Sequence, residues 1–363
     1  MISLYTKPDL DLTLQRFEAW WHGRIVDRPP VCIGAKRKAG PAPAPVRTHQ
    51  SLRDRWLDMD YQVELFEASI EGRTFVADTV PIFTPNVGPE LCGTLLGCPL
   101  EFGENTSWSK PIVHNCRELV GRKLDFDNPY WSAIRRGTQR SLERSQGRWI
   151  TGMPDLHTNV DLLAAARDPQ ELCMEMMDDL EGVRLATQYV TDHFPAMFDD
   201  IWKTLAAAGQ PCTCWTPSLH AGRGMVLQSD FIALISPDMF GQVVAPALQR
   251  EMDFFDMSIY HLDGPGALRH LDALLAIRQL NAVQWIYGAG QGSAKDWIDV
   301  YRRIQKAGKS VQILCSDIEE ALLLTTHLKP EGVWFCIGRS YEPPRIEAFL
   351  DQMKRWAGGA RVG

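Results

Sequence analysis

His261 and Asp263, at the end of the segment MSIYHLD, are the residues whose types and spacing best suit chemistry in this sequence. Because side chains alternate across a β-strand, the two share one face with Met257 and Ile259. A buried carboxylate is costly unless it is paired, hydrogen-bonded or bound to a metal, so the pair predicts a catalytic or metal-binding pocket where a strand ends. The structural alternative is that Asp263 caps the helix beginning near Ala267 and that His261 is a core histidine.

Other polar residues also interrupt or follow apolar runs. Asp78 lies inside TFVADTV, where an acid is unexpected in a strand. We predict that it faces a ligand and takes part in catalysis, and the alternative is that it caps a neighbouring loop. Asp155 and His157, in MPDLHTN, are candidate substrate-binding residues, although Asp155 also suits the N-cap of the helical pattern at 160–166.

Basic and aromatic residues complete the candidate binding set. Lys36 and Arg37 follow the first apolar run and suit a carboxylate or phosphate, with a solvated basic loop as the alternative. Large aromatic side chains either stack against a ring or a methylated cation, or pack in the core. The aromatic candidates are Trp108, Trp215, Trp285 and Tyr287.

The elements that must position these residues are short apolar runs separated by helical patterns. Apolar residues at i, i+3 and i+4 spacing, such as Val300, Tyr301 and Ile304, mark the helices. Eight such units without a dividing linker predict an α/β fold, a single-domain (β/α)₈ TIM barrel over residues 1–363, with a doubly wound open sheet as the alternative. The eight runs are 31–35, 74–80, 149–154, 212–215, 257–263, 283–287, 311–315 and 333–337.

Two segments fall outside these units. Residues 1–30 carry a helical pattern before the first strand, and 88–146 is too long for one crossover, which predicts an N-terminal helical extension and an excursion after strand two. In such a barrel the carboxyl ends of the strands meet at one mouth, where ligands bind. We therefore expect Asp78, His261 and Asp263 to converge in one cavity.

Composition narrows the class of protein. The chain has 363 residues, 45% of them hydrophobic, and a net charge of −7 without a long basic run, which argues against a nucleic-acid partner. Its nine cysteines lack CxxC pairs and fit reduced thiols. The charged N-terminal segment does not match a signal peptide and no apolar stretch matches a membrane span, so we expect a cytoplasmic location and no membrane partner.

Several segments together carry a family resemblance. They are DRPPV at 27–31, ADTVP at 77–81, SDF at 229–231 with ISPDMF at 235–240, and HLDG at 261–264. On these segments the chain resembles the uroporphyrinogen decarboxylase superfamily, which also contains cobalamin-dependent and coenzyme M methyltransferases on the same barrel. The resemblance adds Asp230, in the SDF segment, to the substrate-binding candidates.

The chain also departs from that family at its functional motifs. The decarboxylases hold porphyrin carboxylates with an Arg-Gln-Ala-Gly-Arg segment, where this chain reads AKRKAG at 35–40, and their Gly-His-Gly is replaced by Gly338-Arg339-Ser340. The methyltransferases bind zinc through His-x-Cys and a distant cysteine. Asp263 stands here for the first cysteine, so the resemblance implies a divalent metal such as zinc held by His261, Asp263 and one further donor, with harder ligands than a thiolate site.

Two enzymatic hypotheses follow. The preferred one is a methyltransferase acting on a small methylated substrate, with Asp78, His261 and Asp263 as catalytic residues. The alternative is a decarboxylase or lyase acting on a small carboxylated substrate gripped by Lys36 or Arg37, and a barrel that only binds is the third interpretation. The predicted partners are a small-molecule substrate, a corrinoid protein and a second copy of the chain in a homodimer.

Overall fold

A mostly parallel β-sheet flanked by helices carries the predicted site residues. The computed structural model describes residues 2–37, 40 and 42–359, and Lys38 of the predicted basic segment lies outside them. The strands are β1 (Val31–Ala35), β2 (Phe75–Ala77), β3 (Ile82–Phe83), β4 (Leu100–Phe102), β5 (Ser107–Ser109), β6 (Ile150–Thr151), β7 (Gly224–Gln228), β8 (Met257–Asp263), β9 (Ala282–Ile286), β10 (Ser310–Cys315) and β11 (Val333–Tyr341).

The α-helices are α1 (Leu10–Trp21), α2 (Leu52–Leu57), α3 (Met59–Ile70), α4 (Leu91–Leu95), α5 (Pro129–Ser145), α6 (Asn159–Arg167), α7 (Pro169–Asp178), α8 (Leu180–Ala207), α9 (Pro237–Met239), α10 (Ala245–Phe254), α11 (Leu271–Ala276), α12 (Ile298–Lys306), α13 (Ile318–Thr325) and α14 (Pro343–Ala357). Short 3₁₀ turns follow β7 (Asp230–Leu234) and β8 (Pro265–His270). Among the described residues, none of the helices combines the length and the apolar character needed to cross a bilayer.

The main sheet fixes the direction in which the site lies. Within the described ranges it has seven strands in the order β2, β1, β11, β10, β9, β8, β7. Every neighbouring pair is parallel except β1 with β2. Strands β3 and β6 form a separate parallel pair, and β4 and β5 form an antiparallel pair. The carboxyl ends of β7 to β11 therefore share one edge of the sheet.

The mostly parallel sheet with its flanking helices confirms the predicted α/β class. The sheet is not closed, so the predicted closed ring of eight strands is not confirmed. Strands β2 and β7 are its edges, and no ladder joins them in the part of the chain that the structure describes. Single contacts fill the interval: the Met153 amide donates to the Thr213 carbonyl at 2.7 Å, and the Cys212 thiol donates to the Gly224 carbonyl at 2.8 Å.

The predicted run 212–215 accounts for part of this difference. It forms only an isolated bridge between Cys212 and His220. Prolines at 211 and 217 flank the segment, and proline supplies no N–H for a ladder. Strand β7 was not among the eight predicted runs, although it pairs with β8 along its whole length. The other predicted runs each overlap an observed strand, and β1 and β8 match the predicted bounds.

The N-terminal extension and the excursion both contain regular structure. Helix α1 confirms the helix predicted in 1–30, and it buries Phe17, Trp20 and Trp21. The Trp20 indole donates to the Gly332 carbonyl at 2.9 Å, next to the start of β11, which fixes α1 against the sheet. Segment 88–146 holds α4, the β4–β5 hairpin and α5.

Asp78 lies at the amino edge of the sheet, where it is fully committed to structural contacts. One carboxylate oxygen accepts from the amide of Val31, the first residue of β1, at 2.8 Å and from Arg28 at 2.5 Å. The other accepts from Arg16 of α1 at 3.0 Å. Since β1 and β8 are parallel, Asp78 and the His261/Asp263 pair occupy opposite edges. The prediction that they converge in one cavity is therefore wrong. Asp78 is held at the amino edge by its ion pairs with two buried arginines.

Replacing Asp78 with alanine is expected to destabilise the fold. The side chains of Arg16 and Arg28 are almost fully buried, and Arg16 would keep its second partner Asp27, whereas Arg28 would be left without a charged partner, at a cost of about 3–5 kcal/mol. Urea unfolding measures the loss, with Asp263→Ala as the matched control that changes stability little. An Asp78→Ala protein of unchanged stability that has lost ligand binding would contradict this assignment.

A second buried acid connects α10 with the amino end of α6. Glu251 accepts a hydrogen bond from the Thr158 hydroxyl at 2.6 Å and is almost fully buried. Burial raises the pKa of Glu251 to about 7, and the hydrogen bonds from Thr158 and Asn159 only partly oppose this effect. The folded state therefore retains a proton that the unfolded state releases at lower pH.

The free energy of unfolding should fall as pH rises from the ordinary glutamate pKa through about 7, because ionising the buried Glu251 carboxyl is unfavourable in the folded state and not in the unfolded state. The difference between the two pKa values corresponds to about 3 kcal/mol. Glu251→Gln should match the wild type at about pH 4, below the ordinary glutamate pKa, and exceed its free energy of unfolding at about pH 8. The exposed Glu319→Gln serves as the control, and equal pH profiles for wild type and Glu251→Gln would rule the effect out.

Candidate functional site

Side chains from neighbouring elements meet at the carboxyl edge of the sheet. Their contacts run continuously from α6 through the turn after β7 to the end of β8. They are Asp155 and His157 from the segment between β6 and α6, Asp161 from the first turn of α6, Asp230 from the turn after β7, and His261 and Asp263 from β8. Five of these six residues were predicted from the sequence, and Asp161 was not.

His261 is held by one ring nitrogen and offers the other to the site. Its Nδ1 lies 2.5 Å from Oε1 of Gln284 on the neighbouring strand, while its Nε2 faces Asp230 at 3.9 Å. The Trp215 indole packs edge-on against the imidazole, with ring centroids 5.0 Å apart. Asp263 makes no side-chain hydrogen bond to any described residue and caps no described helix, so the capping alternative is not supported.

The Gln284 contact belongs to a row of side chains set by strand register. Gln228, His261, Gln284 and Gln312 are consecutive register partners on β7, β8, β9 and β10. The Gln284 amide donates to Gln312 at 2.7 Å, and the Gln312 amide donates to the thiol of Cys336 at 3.3 Å. The amides of Gln284 and Gln312 therefore find hydrogen-bond partners within the row, inside an otherwise apolar sheet.

The orientation of the Gln284 amide fixes the direction of its hydrogen bond with His261. Cys336 is the register partner of Cys32, and Cys32 donates to the Asp78 carbonyl at 3.6 Å. The nitrogen of the Gln284 amide donates to Gln312, so its oxygen is the atom that faces His261, and an amide oxygen can only accept. Nδ1 of His261 must therefore carry the hydrogen donated to Gln284, which leaves a lone pair on Nε2.

His157 has the opposite environment, because carboxylates occupy both of its ring nitrogens. Nε2 lies 3.0 Å from Asp155 and Nδ1 lies 3.3 Å from Asp161. Burial favours the neutral ring, but these two carboxylates raise the pKa of His157 well above its ordinary value. Asp155 is oriented in turn by the Trp215 indole at 2.9 Å and the Gln228 amide at 2.7 Å. His157 is thus a fixed imidazolium.

Asp161 positions the neighbouring acid. Its carboxylate accepts from the amides of Asp230 and Phe231 at 2.9 and 3.0 Å and from the Ser229 hydroxyl at 3.2 Å. These bonds anchor the turn after β7 and direct Asp230 toward His261. Burial and the charge of Asp161 raise the pKa of Asp230, and the two histidines oppose that shift.

Two groups of ligand atoms are close enough to share a metal ion. In each group the candidate atoms lie within 4.8 Å of one another, and Asp230 belongs to both. The groups are His157, Asp161 and Asp230, and Asp230, His261 and Asp263. An imidazolium has no lone pair, so His157 is poorly suited to bind a cation. His261 presents a free Nε2, and its amide-bonded Nδ1 is the kind of support that metal-binding histidines have.

A cavity of about 530 Å³ opens beside this cluster. Trp215 and Gln284, both in contact with His261, form part of its wall. Gln312, Cys32 and Cys336 line it further along the row. Its size lies within the range of about 300–1,000 Å³ that is typical of small-molecule sites. A molecule bound in this cavity would lie beside two of the residues that contact His261.

Several predicted binding residues lie elsewhere. Lys36 is exposed and pairs with Glu342 at 3.4 Å, and Arg37 donates to the Ser69 carbonyl at the end of α3, so neither lines the cavity. Trp108 is largely exposed on the β4–β5 hairpin. None of these three side chains is among the described residues that line the cavity.

Trp285 and Tyr287, also predicted to bind the substrate, do not line the cavity. Trp285 follows Gln284, so the two face opposite sides of β9, and the indole is buried against Trp297. Tyr287 donates to the Leu314 carbonyl at 3.3 Å and is absent from the residues that line the cavity. Trp215 is the one aromatic prediction, among the four, that borders the described cavity.

The sequence contained a signal for some of the residues that were missed. Gln228, Gln284 and Gln312 each stand in an apolar run, in MVLQ, AVQW and SVQI. A long amide inside a buried strand requires a partner, and three of them in successive strands indicate a shared polar row. Asp161 gave no comparable signal, because an acid in the first turn of a helix is usual.

Comparisons with known proteins support the fold. No family model matches the chain, and no curated protein matches it. A solved structure described as a methyltransferase from Methanosarcina mazei is similar over 94% of this chain and 98% of that chain, with a TM-score of 0.59 and 12% sequence identity. At that identity the similarity concerns the fold alone. Membership of the uroporphyrinogen decarboxylase superfamily stays a prediction.

His157 is expected to remain protonated at a pH above the ordinary pKa of histidine, because Asp155 and Asp161 stabilise the imidazolium. Asp155→Asn should lower its pKa toward about 6.5 by removing one of the two charges. Side-chain NMR of selectively labelled histidine reports the protonation state directly, and Asp238→Asn is a control of equal charge change. A His157 ring that is neutral at about pH 7 in the wild type would contradict this assignment.

Proposed function

We propose that this protein is a methyltransferase that acts on a small methylated substrate, with Asp230, His261 and Asp263 as the ligands of a divalent metal ion. The free Nε2 of His261 beside two carboxylates is the observation that carries the proposal. The methyltransferase fold of the solved structure is consistent with it. Asp230 supplies the further donor that the sequence left unnamed.

The donor set fits such an ion. One imidazole and two carboxylates form a hard N/O site, suited to zinc, manganese or iron, and three protein ligands leave a position open for substrate. A metal bound there would act as a Lewis acid that lowers the pKa of an acceptor hydroxyl or amine. The absence of cysteine from the set makes an oxygen or nitrogen acceptor a better match than a thiol.

The protein's own side chains would position the methyl donor. Trp215 borders the cavity and packs edge-on against His261, so a methylated group on the cavity side of the indole would lie close to the cluster. Gln284 keeps the His261 ring in one orientation through its 2.5 Å contact. Asp161 keeps the Asp230 carboxylate turned toward the same point through the bonds to its turn.

The decarboxylase alternative has lost the residues it depended on. It required Asp78 to stabilise a protonated intermediate and Lys36 or Arg37 to grip the acid. Asp78 is buried between two arginines, and the two basic residues contact Glu342 and Ser69.

The proposal also includes the (β/α)₈ arrangement of the fold. The contacts that β3, β6 and residues 212–214 make between the two edges of the main sheet support this arrangement.

Calorimetric titration with Zn²⁺ and Mn²⁺ tests the metal site. The wild type should bind one equivalent, and His261→Ala should abolish binding. Gln284→Leu, which removes the support for Nδ1, should weaken binding about 10- to 100-fold. Asp238→Asn, an exposed acid outside the cluster, is the matched control and should bind like the wild type.

Failure to bind either ion, or binding that survives His261→Ala, would refute the metal site. Methyl transfer is tested separately with a panel of methylated amines, ethers and thioethers and with hydroxyl, amine and thiol acceptors. A corrinoid protein is a proposed partner, and comparing turnover with and without methylcobalamin tests it. Turnover that persists in His261→Ala would contradict the proposed function.

A further inference from the structure

We infer that the 530 Å³ cavity binds a small methylated molecule that carries an oxyanion, with the anionic group held between Arg73 and Arg339. This inference names the substrate class of the proposed function and depends on that function for its catalytic meaning, although anion binding itself does not. The two arginines line the cavity together with Gln284, Gln312 and Thr79.

The two arginines approach the cavity from either side of β1. Arg339 lies in β11 beyond Ile337, and β11 pairs with β1. Arg73 lies two residues before the start of β2, which runs antiparallel to β1 with Phe75 opposite Gly34. Arg73 therefore lies near the carboxyl end of β1, beside the strand that carries Arg339. Both arginines line the cavity near the carboxyl end of β1.

Charge at this rim is positive although the chain as a whole is acidic. None of the described residues that line the cavity is an aspartate or glutamate, whereas the net charge of the chain is −7. The acidic side chains of the candidate metal site lie outside the lining, beyond Trp215 and Gln284. An anion in the cavity would meet cations first and would be separated from the carboxylates.

Neither arginine is engaged in a close ion pair within the described ranges. Arg73 makes no side-chain hydrogen bond or salt bridge to a described residue. The Arg339 guanidinium lies 3.9 Å from Asp317, whose carboxylate already accepts from the Glu320 amide at 2.9 Å as the N-cap of α13. Planar guanidinium groups with donors to spare are the usual partners of carboxylates and phosphates.

The floor of the cavity suits the polar remainder of such a molecule. Gln284 and Gln312 each use one amide hydrogen within the row, so the second hydrogen of each is available for a ligand oxygen. Trp215 forms an apolar wall beside His261. A compact molecule with the anion at the arginine rim and the methyl group beside Trp215 would span the cavity toward the metal ligands.

Direct binding measurements test this inference. The probes are methoxyacetate and methyl phosphate, with uncharged 2-methoxyethanol as the comparator, titrated calorimetrically against the full-length wild type. At least one anion should bind and the comparator should not compete with it. Preference for methoxyacetate indicates a carboxylate ligand, and preference for methyl phosphate indicates a phosphate ligand. Either result supports the inference.

Variants assign the binding to the two arginines. Arg73→Gln and Arg339→Gln should each weaken anion binding about tenfold or more, because each removes charge-assisted hydrogen bonds. Arg278→Gln changes the same charge in the loop before β9, at the amino edge of the sheet, and should have no effect. Failure of both anions to bind, or equal binding by the Arg73→Gln/Arg339→Gln double variant, would overturn the inference.

His261→Ala separates this inference from the proposed function. It should abolish metal binding while anion affinity stays within about twofold of the wild type, because the arginine rim does not include the histidine. Anion binding without any metal binding would leave the anion site standing and refute the metal site. Metal binding without any anion binding would leave the metal site standing and refute the anion site.

Discussion

The hydrogen bond between His261 and Gln284 is the contact on which the site depends. It is the first link of a chain that passes through Gln312 to the thiol of Cys336. Because the nitrogen of the Gln284 amide donates to Gln312, its oxygen accepts from His261, and the lone pair of His261 is presented on Nε2. The orientation of one imidazole is therefore set by the register of four parallel strands, which is difficult to disturb locally.

The two histidines of the site have different roles because their side chains contact different partners. His157 lies between two carboxylates and is held as a cation, whereas His261 contacts a neutral amide and an aromatic edge. Asp230 lies between the two rings, within reach of both. The imidazolium offsets part of the negative charge that accumulates where Asp155, Asp161, Asp230 and Asp263 approach one another. A cation bound by His261 would offset the rest.

The sequence predicted those parts of the structure that depend on local pattern. Strands β1 and β8 followed from apolar runs with clear ends, and His261 and Asp263 followed from polar residues on the inward face of such a run. Asp78 was misassigned because its partners, Arg16 and Arg28, come from a helix and a loop far away in the chain. The amide row depends on which strands are neighbours and in what register, and neither is visible in a single strand's pattern. The open sheet reflects prolines and single contacts around 212–215, where composition alone suggested a strand.

The most direct test of the central claim is a crystal structure of the protein with bound Zn²⁺, located by anomalous scattering. The ion is predicted to contact Nε2 of His261 and carboxylate oxygens of Asp230 and Asp263, with Nδ1 of His261 still bonded to Gln284. An ion bound instead through His157, or a His261 ring turned so that Nδ1 faces Asp230, would contradict the account.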